Sequence, residues 1–195
     1  MSNTNSRRDF ITNGAAAGGV CLLTFTLSGC EAKLTPAQAR AAKVPLHALT
    51  AGDVTTLDAL GETLLPGSAA AGLAQYLDHQ LSGDAAHSML MIKYLGVPAP
   101  FGSFYQAGLR AAETAARTLY GKAFADLSSQ QAQTLVKQMS AGHVNGWPGQ
   151  GPPSPLFYFV LRNDAVDVMY GTQRGFALLD VPYMAHIVPP SRWGE

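Results

Sequence analysis

The sequence predicts an all-α protein: a single compact bundle of about five to six helices with an extended, aromatic-rich C-terminal arm. Three observations lead to that fold class. Between residues 50 and 170, apolar side chains recur every three to four positions in window after window, the period of one helix face. Glycine and proline sit at the ends of those windows, where helices stop. No segment alternates apolar and polar residues convincingly, so no strand is predicted.

The chain begins with what reads as an address, residues 1–29. Ser6-Arg7-Arg8-Asp9-Phe10-Ile11 resembles the twin-arginine export motif, with Arg7, Arg8 and Phe10 at its recognised positions. A soft apolar run follows over residues 14–27. As a helix it would span roughly 21 Å, short of the ~30 Å hydrocarbon core that a transmembrane helix crosses. Leu27-Ser28-Gly29-Cys30 resembles a lipobox, which makes Cys30 the acylated first residue of a mature chain. Residues 30–49 are expected to tether lipid to domain, with Thr35-Pro36 as a helix start. The subunit domain is expected over residues 50–195.

The first firm helix is predicted over 50–65, with Val54, Leu57, Leu60, Leu64 and Leu65 on one face; Pro66-Gly67 stops it. A second, over 68–81, carries the stripe Leu73, Tyr76, Leu77 and Leu81 and breaks at Ser82-Gly83-Asp84. A third, over 84–95, has a Met89–Ile92 cluster that is apolar nearly all round, so it is buried or covered by something else. The fourth, over 101–120, turns Phe101, Phe104, Tyr105, Leu109, Ala112, Ala116 and Leu119 inward and pairs Glu113 with Arg117 outside. The fifth opens with a capping box, Ser128-x-x-Gln131, and buries Leu135, Val136 and Met139. A Gly- and Pro-rich loop over 142–155 holds Trp147. The sixth helix, over 156–170, is apolar on every side in its first half, so some of Phe157, Tyr158 and Phe159 must meet the core or a partner. Periodicity is lost from 171 onward. The segment still carries Phe176, Leu178, Leu179, Tyr183, Met184, Ile187 and Trp193, too many large apolar groups for a disordered tail.

Composition excludes several function classes. The 13 basic and 13 acidic residues balance, with no basic face to suggest a nucleic-acid partner. Cys21 lies in the apolar run and Cys30 at the lipobox, so the expected mature fold keeps no free thiol for a disulfide, a Cys-ligated cluster or covalent haem. Dinucleotide, phosphate-loop, nucleophile-elbow and HExxH motifs are all missing. His79 with His87, Asp78 with His79, and Asp164 with Asp167 beside Arg162 are the nearest approaches to a site. Each is read as structural, so no catalytic, cofactor-binding or metal-ligating residue is assigned. Trp147 reads as a core plug or a subunit-interface anchor.

Four segments carry a resemblance to a known family: LGETLLPG at 60–67, GLAQYLDHQL at 72–81, YGKAFADLSSQQ at 120–131 and SPLFYFVLRNDAVDVMYG at 154–171. Together they resemble the gluconate 2-dehydrogenase subunit 3 family. Where that family often has a Tyr-Gly-Gly-Asn run, this chain reads Tyr170-Gly171-Thr172-Gln173. The resemblance implies a non-catalytic small subunit of a periplasmic dehydrogenase complex. Its large subunit would be an FAD enzyme of the glucose–methanol–choline type that oxidises a sugar, sugar acid or alcohol. A cytochrome c subunit or the quinone pool would take the electrons. The small subunit would assist folding and export through the twin-arginine translocase. It would also hold the pair to the inner membrane, on the periplasmic side, through lipid on Cys30. The interface candidates are Trp147, Phe157, Tyr158, Phe159, Tyr170, Phe176, Tyr183 and Trp193. Two rival expectations stand beside it: a free-standing helical envelope lipoprotein that binds a small ligand or a protein, and a self-sufficient enzyme whose site no motif marks.

Overall fold

The computed structural model describes residues 22–27 and 30–180. Among them are seven α-helices and one two-stranded sheet, so the all-α expectation holds. The strands are β1 (Leu23–Leu27) and β2 (Cys30–Leu34); the helices are α1 (Pro36–Ala41), α2 (Ala51–Leu64), α3 (Leu73–Ser82), α4 (Gly102–Tyr120), α5 (Ser129–Ala141), α6 (Ser154–Tyr170) and α7 (Gln173–Leu178).

Helix starts follow local chemistry. Thr35, Thr50 and Ser128 each accept from the amide three residues on, while Gln38, Asp53 and Gln131 return a side-chain acceptor to the cap amide. Each box satisfies two donors that a helix end otherwise leaves unpaired. Two helices are central. α2 packs against α3, α4, α5 and α6; α6 packs against those same three, α2, α7 and the 91–95 turn. Leu57 and Leu60 of α2, and Phe157, Val160 and Leu161 of α6, have no exposed surface. α4 approaches α6 closely because Gly108 has no side chain; a Cβ there would run into the Phe157 ring.

Several expectations change. The predicted helix over 68–81 begins only at Leu73. Glu62 draws the amides of Gly67 and Ala69 to its carboxylate at 2.9 Å, and Gly67 and Gly72 adopt φ of +95° and +90°, outside any helix. Gly72 also lies against the Pro36 backbone, where no Cβ fits. The predicted helix over 84–95 is instead two short 3-10 turns, Ala85–His87 and Met91–Leu95, separated by extended residues. Tertiary bonds outcompete the helical ladder there: Met89 donates to Gln80 Oε1 at 2.8 Å and Met91 to Asp164 Oδ1 at 2.9 Å.

The N-terminal part departs most. β1 and β2 form an antiparallel hairpin in register Leu23↔Leu34 to Leu27↔Cys30, where no strand is predicted. Leu23-Thr24-Phe25-Thr26-Leu27 does alternate apolar and polar residues, but over five positions only, at the end of a run whose apolar character reads as a signal segment. Residues 30–49, expected to tether, are folded onto the bundle, with Ala39, Val44 and Leu49 buried in the core. Arg40 clamps α1 to α2 by a two-pronged bond to Asp58 at 3.1 and 2.7 Å. The export motif at Arg7, Arg8 and Phe10 lies outside the described residues, as does the arm beyond residue 180 with Tyr183 and Trp193. The arm's first part, expected to be extended, opens with α7, capped by Thr172.

Candidate functional site

Among the described residues, the large apolar side chains that remain exposed are Met89, Tyr94, Leu95, Phe159, Leu178 and Leu179, at 40–63% of their surface. All six lie on α6 or on the two segments beside it, the 89–95 turn and the end of α7. The outer stripe of α6 runs Phe159, Asn163, Val166, Tyr170 at helical spacing, with Val166 and Tyr170 half-buried. Scattered exposed apolar residues are ordinary; their restriction to one helix and its two neighbours marks a surface suited to a protein partner.

The turn that presents Tyr94 and Leu95 is anchored from inside. Asp164, on the inner side of α6, is fully buried; its Oδ1 accepts from Met91 N at 2.9 Å and its Oδ2 from the Tyr105 hydroxyl at 2.6 Å. Burial raises the Asp164 carboxyl to about 7, against the opposing pull of those two donors. The same burial, with the Asp164 charge beside it, raises the Tyr105 hydroxyl well above its usual value. Lys93 reinforces the segment by donating to the carbonyls of Ala86 and Ser88 at 2.6 and 3.1 Å. One buried carboxylate thus joins α4, α6 and the exposed turn.

The other residues singled out from sequence find structural employment. Asp78 is buried and accepts from the amides of His47, Ala48 and Leu49 at 2.7–3.0 Å, clasping the loop before α2. His79 Nε2 lies 3.1 Å from Thr24 O, and its ring meets Phe25 edge-on at 5.1 Å. Burial lowers the His79 pKa, which the Thr24 bond and Asp78 only partly offset. His87 pairs with Asp84 at the surface instead, at 3.2 Å, so His79 and His87 do not come together. Asp167 and Arg162 are exposed, whereas Asp164 is inside, so the two aspartates do not share an environment. No group of three or more His, Cys, Asp or Glu side chains gathers as a metal site among the described residues.

The interface candidates divide. Phe157 is completely buried, packed against Gly108, and is unavailable to a partner. Its position is a helix register effect: the same face carries Val160, Leu161 and Asp164. Trp147 is half-buried, 6.2 Å from the Phe157 ring, with its indole N–H given to Pro152 O at 2.9 Å; it plugs the core from the loop side. Tyr158, Tyr170 and Phe176 are half-buried, and Phe159 is open. The Met89–Ile92 cluster, expected to be buried or covered by something else, splits: Leu90 and Ile92 are buried and Met89 is exposed, while Tyr94 and Leu95, beyond the cluster, carry no sequence signal of their own.

No curated protein and no solved structure matches the chain. A family model does: that of gluconate 2-dehydrogenase subunit 3, over residues 51–184, which takes in α2 to α7 and every element that builds the exposed surface. The chain belongs to the gluconate 2-dehydrogenase subunit 3 family, and is thereby a small accessory subunit that associates with a larger dehydrogenase subunit.

Proposed function

We propose that the chain folds in the cytoplasm around an FAD-loaded dehydrogenase of the glucose–methanol–choline type and lends it a twin-arginine signal. The pair then crosses together and stays at the periplasmic face of the inner membrane through lipid on Cys30. The large subunit oxidises a sugar, sugar acid or alcohol and passes electrons to a cytochrome c subunit or towards quinone. The small subunit contributes no redox group.

The observation that carries this reading is the apolar surface around α6, inside the family-matched region: Phe159, Tyr94, Leu95, Leu178 and Leu179 on elements that pack together. A subunit that does no chemistry needs a contact surface, and this one has the composition of an interface centre. The Ser6–Phe10 motif supports the export step, since that pathway carries folded cargo and FAD must be inserted before crossing. One acyl chain holds a protein only marginally, at about 10⁴ M⁻¹, so retention requires multiple acylation at Cys30.

The test is Arg7→Lys with Arg8→Lys in a strain expressing both subunits. Both proteins should remain in the cytoplasm, with flavin absorbance in the retained large subunit. Export of the large subunit despite the double substitution would defeat the shared signal.

A further inference from the structure

The first strand of the described chain is made from residues that the sequence assigns to a removable signal. Leu23 and Phe25 of β1 are buried in the same core as Leu57, Leu77 and Phe157. β1 is paired along its whole length with β2, from Leu23↔Leu34 to Leu27↔Cys30. It is also tied to α3: His79 Nε2 lies 3.1 Å from Thr24 O, and the Phe25 ring meets the His79 ring edge-on at 5.1 Å. His79 Nδ1 is buried without a partner among the described residues, which suits a neutral ring whose single proton sits on Nε2 and is donated to Thr24 O. Burial, which lowers the His79 pKa, favours the same neutral form. Val44 and Pro45 line the same cleft as Thr24, Phe25 and His79.

We infer that Leu23–Leu27 is a permanent strand of the working subunit, and that the bond before Cys30 stays uncut once the chain has folded. Only Ser28 and Gly29 separate the paired residues Leu27 and Cys30. A peptidase takes its substrate as extended chain on both sides of the bond it cuts, and here both sides are committed to the hairpin. Cutting requires β1 to leave β2 and to withdraw two large side chains from the core, so it draws on a rare, locally opened state. Loss of residues 1–29 would strip β2 of the only strand it pairs with among the described residues and leave its edge unpaired. It would also remove Leu23 and Phe25 from the core and the acceptor from His79. Export of a folded chain, as proposed above, brings β1 to the periplasmic face already seated. The inference goes beyond the accessory-subunit reading and does not use the α6 surface. It changes one feature of that reading: lipid on Cys30 sits on the thiol of a residue inside the chain, not on its first residue. The signal is then a fixed extension of the fold.

The experiment isolates the wild-type small subunit with its large subunit, in detergent, from the envelope of cells expressing both. Trypsin digestion and mass spectrometry then read the peptide that ends at Lys33. It should begin upstream of Leu23, with residues 9–33 as the form cut by trypsin alone, with or without the added mass of lipid. A peptide of residues 30–33 as the main species overturns the inference and leaves the accessory role intact. Failure of the large subunit to co-purify counts against the accessory role alone, and the peptide still decides the strand. Packing is tested in the full chain. Phe25→Ala should lower the thermal unfolding midpoint by roughly 5 °C or more. It should also move the His79 titration, followed by NMR, back towards its ordinary value. Thr24→Ala, at an exposed side chain whose backbone carbonyl stays in place, should leave both nearly unchanged. An unshifted midpoint and titration in Phe25→Ala would place β1 outside the core and overturn the inference.

Discussion

The Tyr105 hydroxyl donates to Asp164 Oδ2 at 2.6 Å in the centre of the bundle, tying α4 to α6 through one buried carboxyl. That carboxyl titrates near 7 rather than 3.8 because burial disfavours its charge. A folded-state pKa above the unfolded one means that the folded protein holds a proton the unfolded chain has released. Stability from this group is therefore complete below about pH 4 and is lost as pH rises towards 7. The loss is roughly 1.4 kcal/mol per pH unit at most. His79, lowered by burial, acts in the opposite sense below its ordinary value. Asp164→Asn should cancel the Asp164 slope and leave that of His79. Urea unfolding at pH 4.5, 6 and 7.5 for both proteins reads the difference; equal slopes would contradict the assignment.

Asp78 should matter more for stability than its conservative appearance beside His79 suggests. Its carboxylate holds three consecutive amides, and truncation leaves them without that acceptor. Asp78→Ala is expected to cost about 3 kcal/mol or more, since hydrogen bonds to a charged group contribute roughly 1.5–3 kcal/mol each. Asp78→Asn, which keeps one oxygen, should recover part of that. Thermal and urea midpoints measure both.

Gly108→Ala tests the close approach of α4 to α6. The new methyl meets the Phe157 ring, a large buried group with nowhere to retreat. Overpacking of this kind costs about 1–3 kcal/mol. Adding Phe157→Leu should relieve part of the cost in a double-mutant cycle; strict additivity would mean that the two do not touch.

Phe159→Ser separates surface from core within two residues of Phe157. Unfolding stability should change by no more than about 0.5 kcal/mol, as for other exposed sites. Co-purification of the large dehydrogenase subunit should weaken by roughly tenfold, or about 1.4 kcal/mol. Phe157→Ala should do the reverse at first order, lowering stability by about 3–5 kcal/mol. Undiminished co-purification by Phe159→Ser would remove the α6 stripe from the interface.

The helical class, most of the helix windows and the caps at Thr35 and Ser128 are legible in the sequence alone; the Thr50 cap is of the same local kind, though only the structure shows it. Those depend on residues within a turn of one another, so the chain records them locally. It also carried the family resemblance, through segments of α2, α3, α4, α5 and α6, and the absence of any motif for chemistry. Which aromatic residues face in is settled by packing between helices. Phe157 and Phe159 look equivalent in a run that is apolar on every side, and their fates follow from where Gly108 lets α4 approach. The 84–95 segment has helical composition, yet its amides go to Gln80 and Asp164, the second of them 73 residues away. The strand pairing of residues 23–27 likewise needs a partner and a floor, here β2 and His79, that no local period announces. Hydrogen bonds and burial between distant parts of the chain settle these points, and a linear pattern has no term for them.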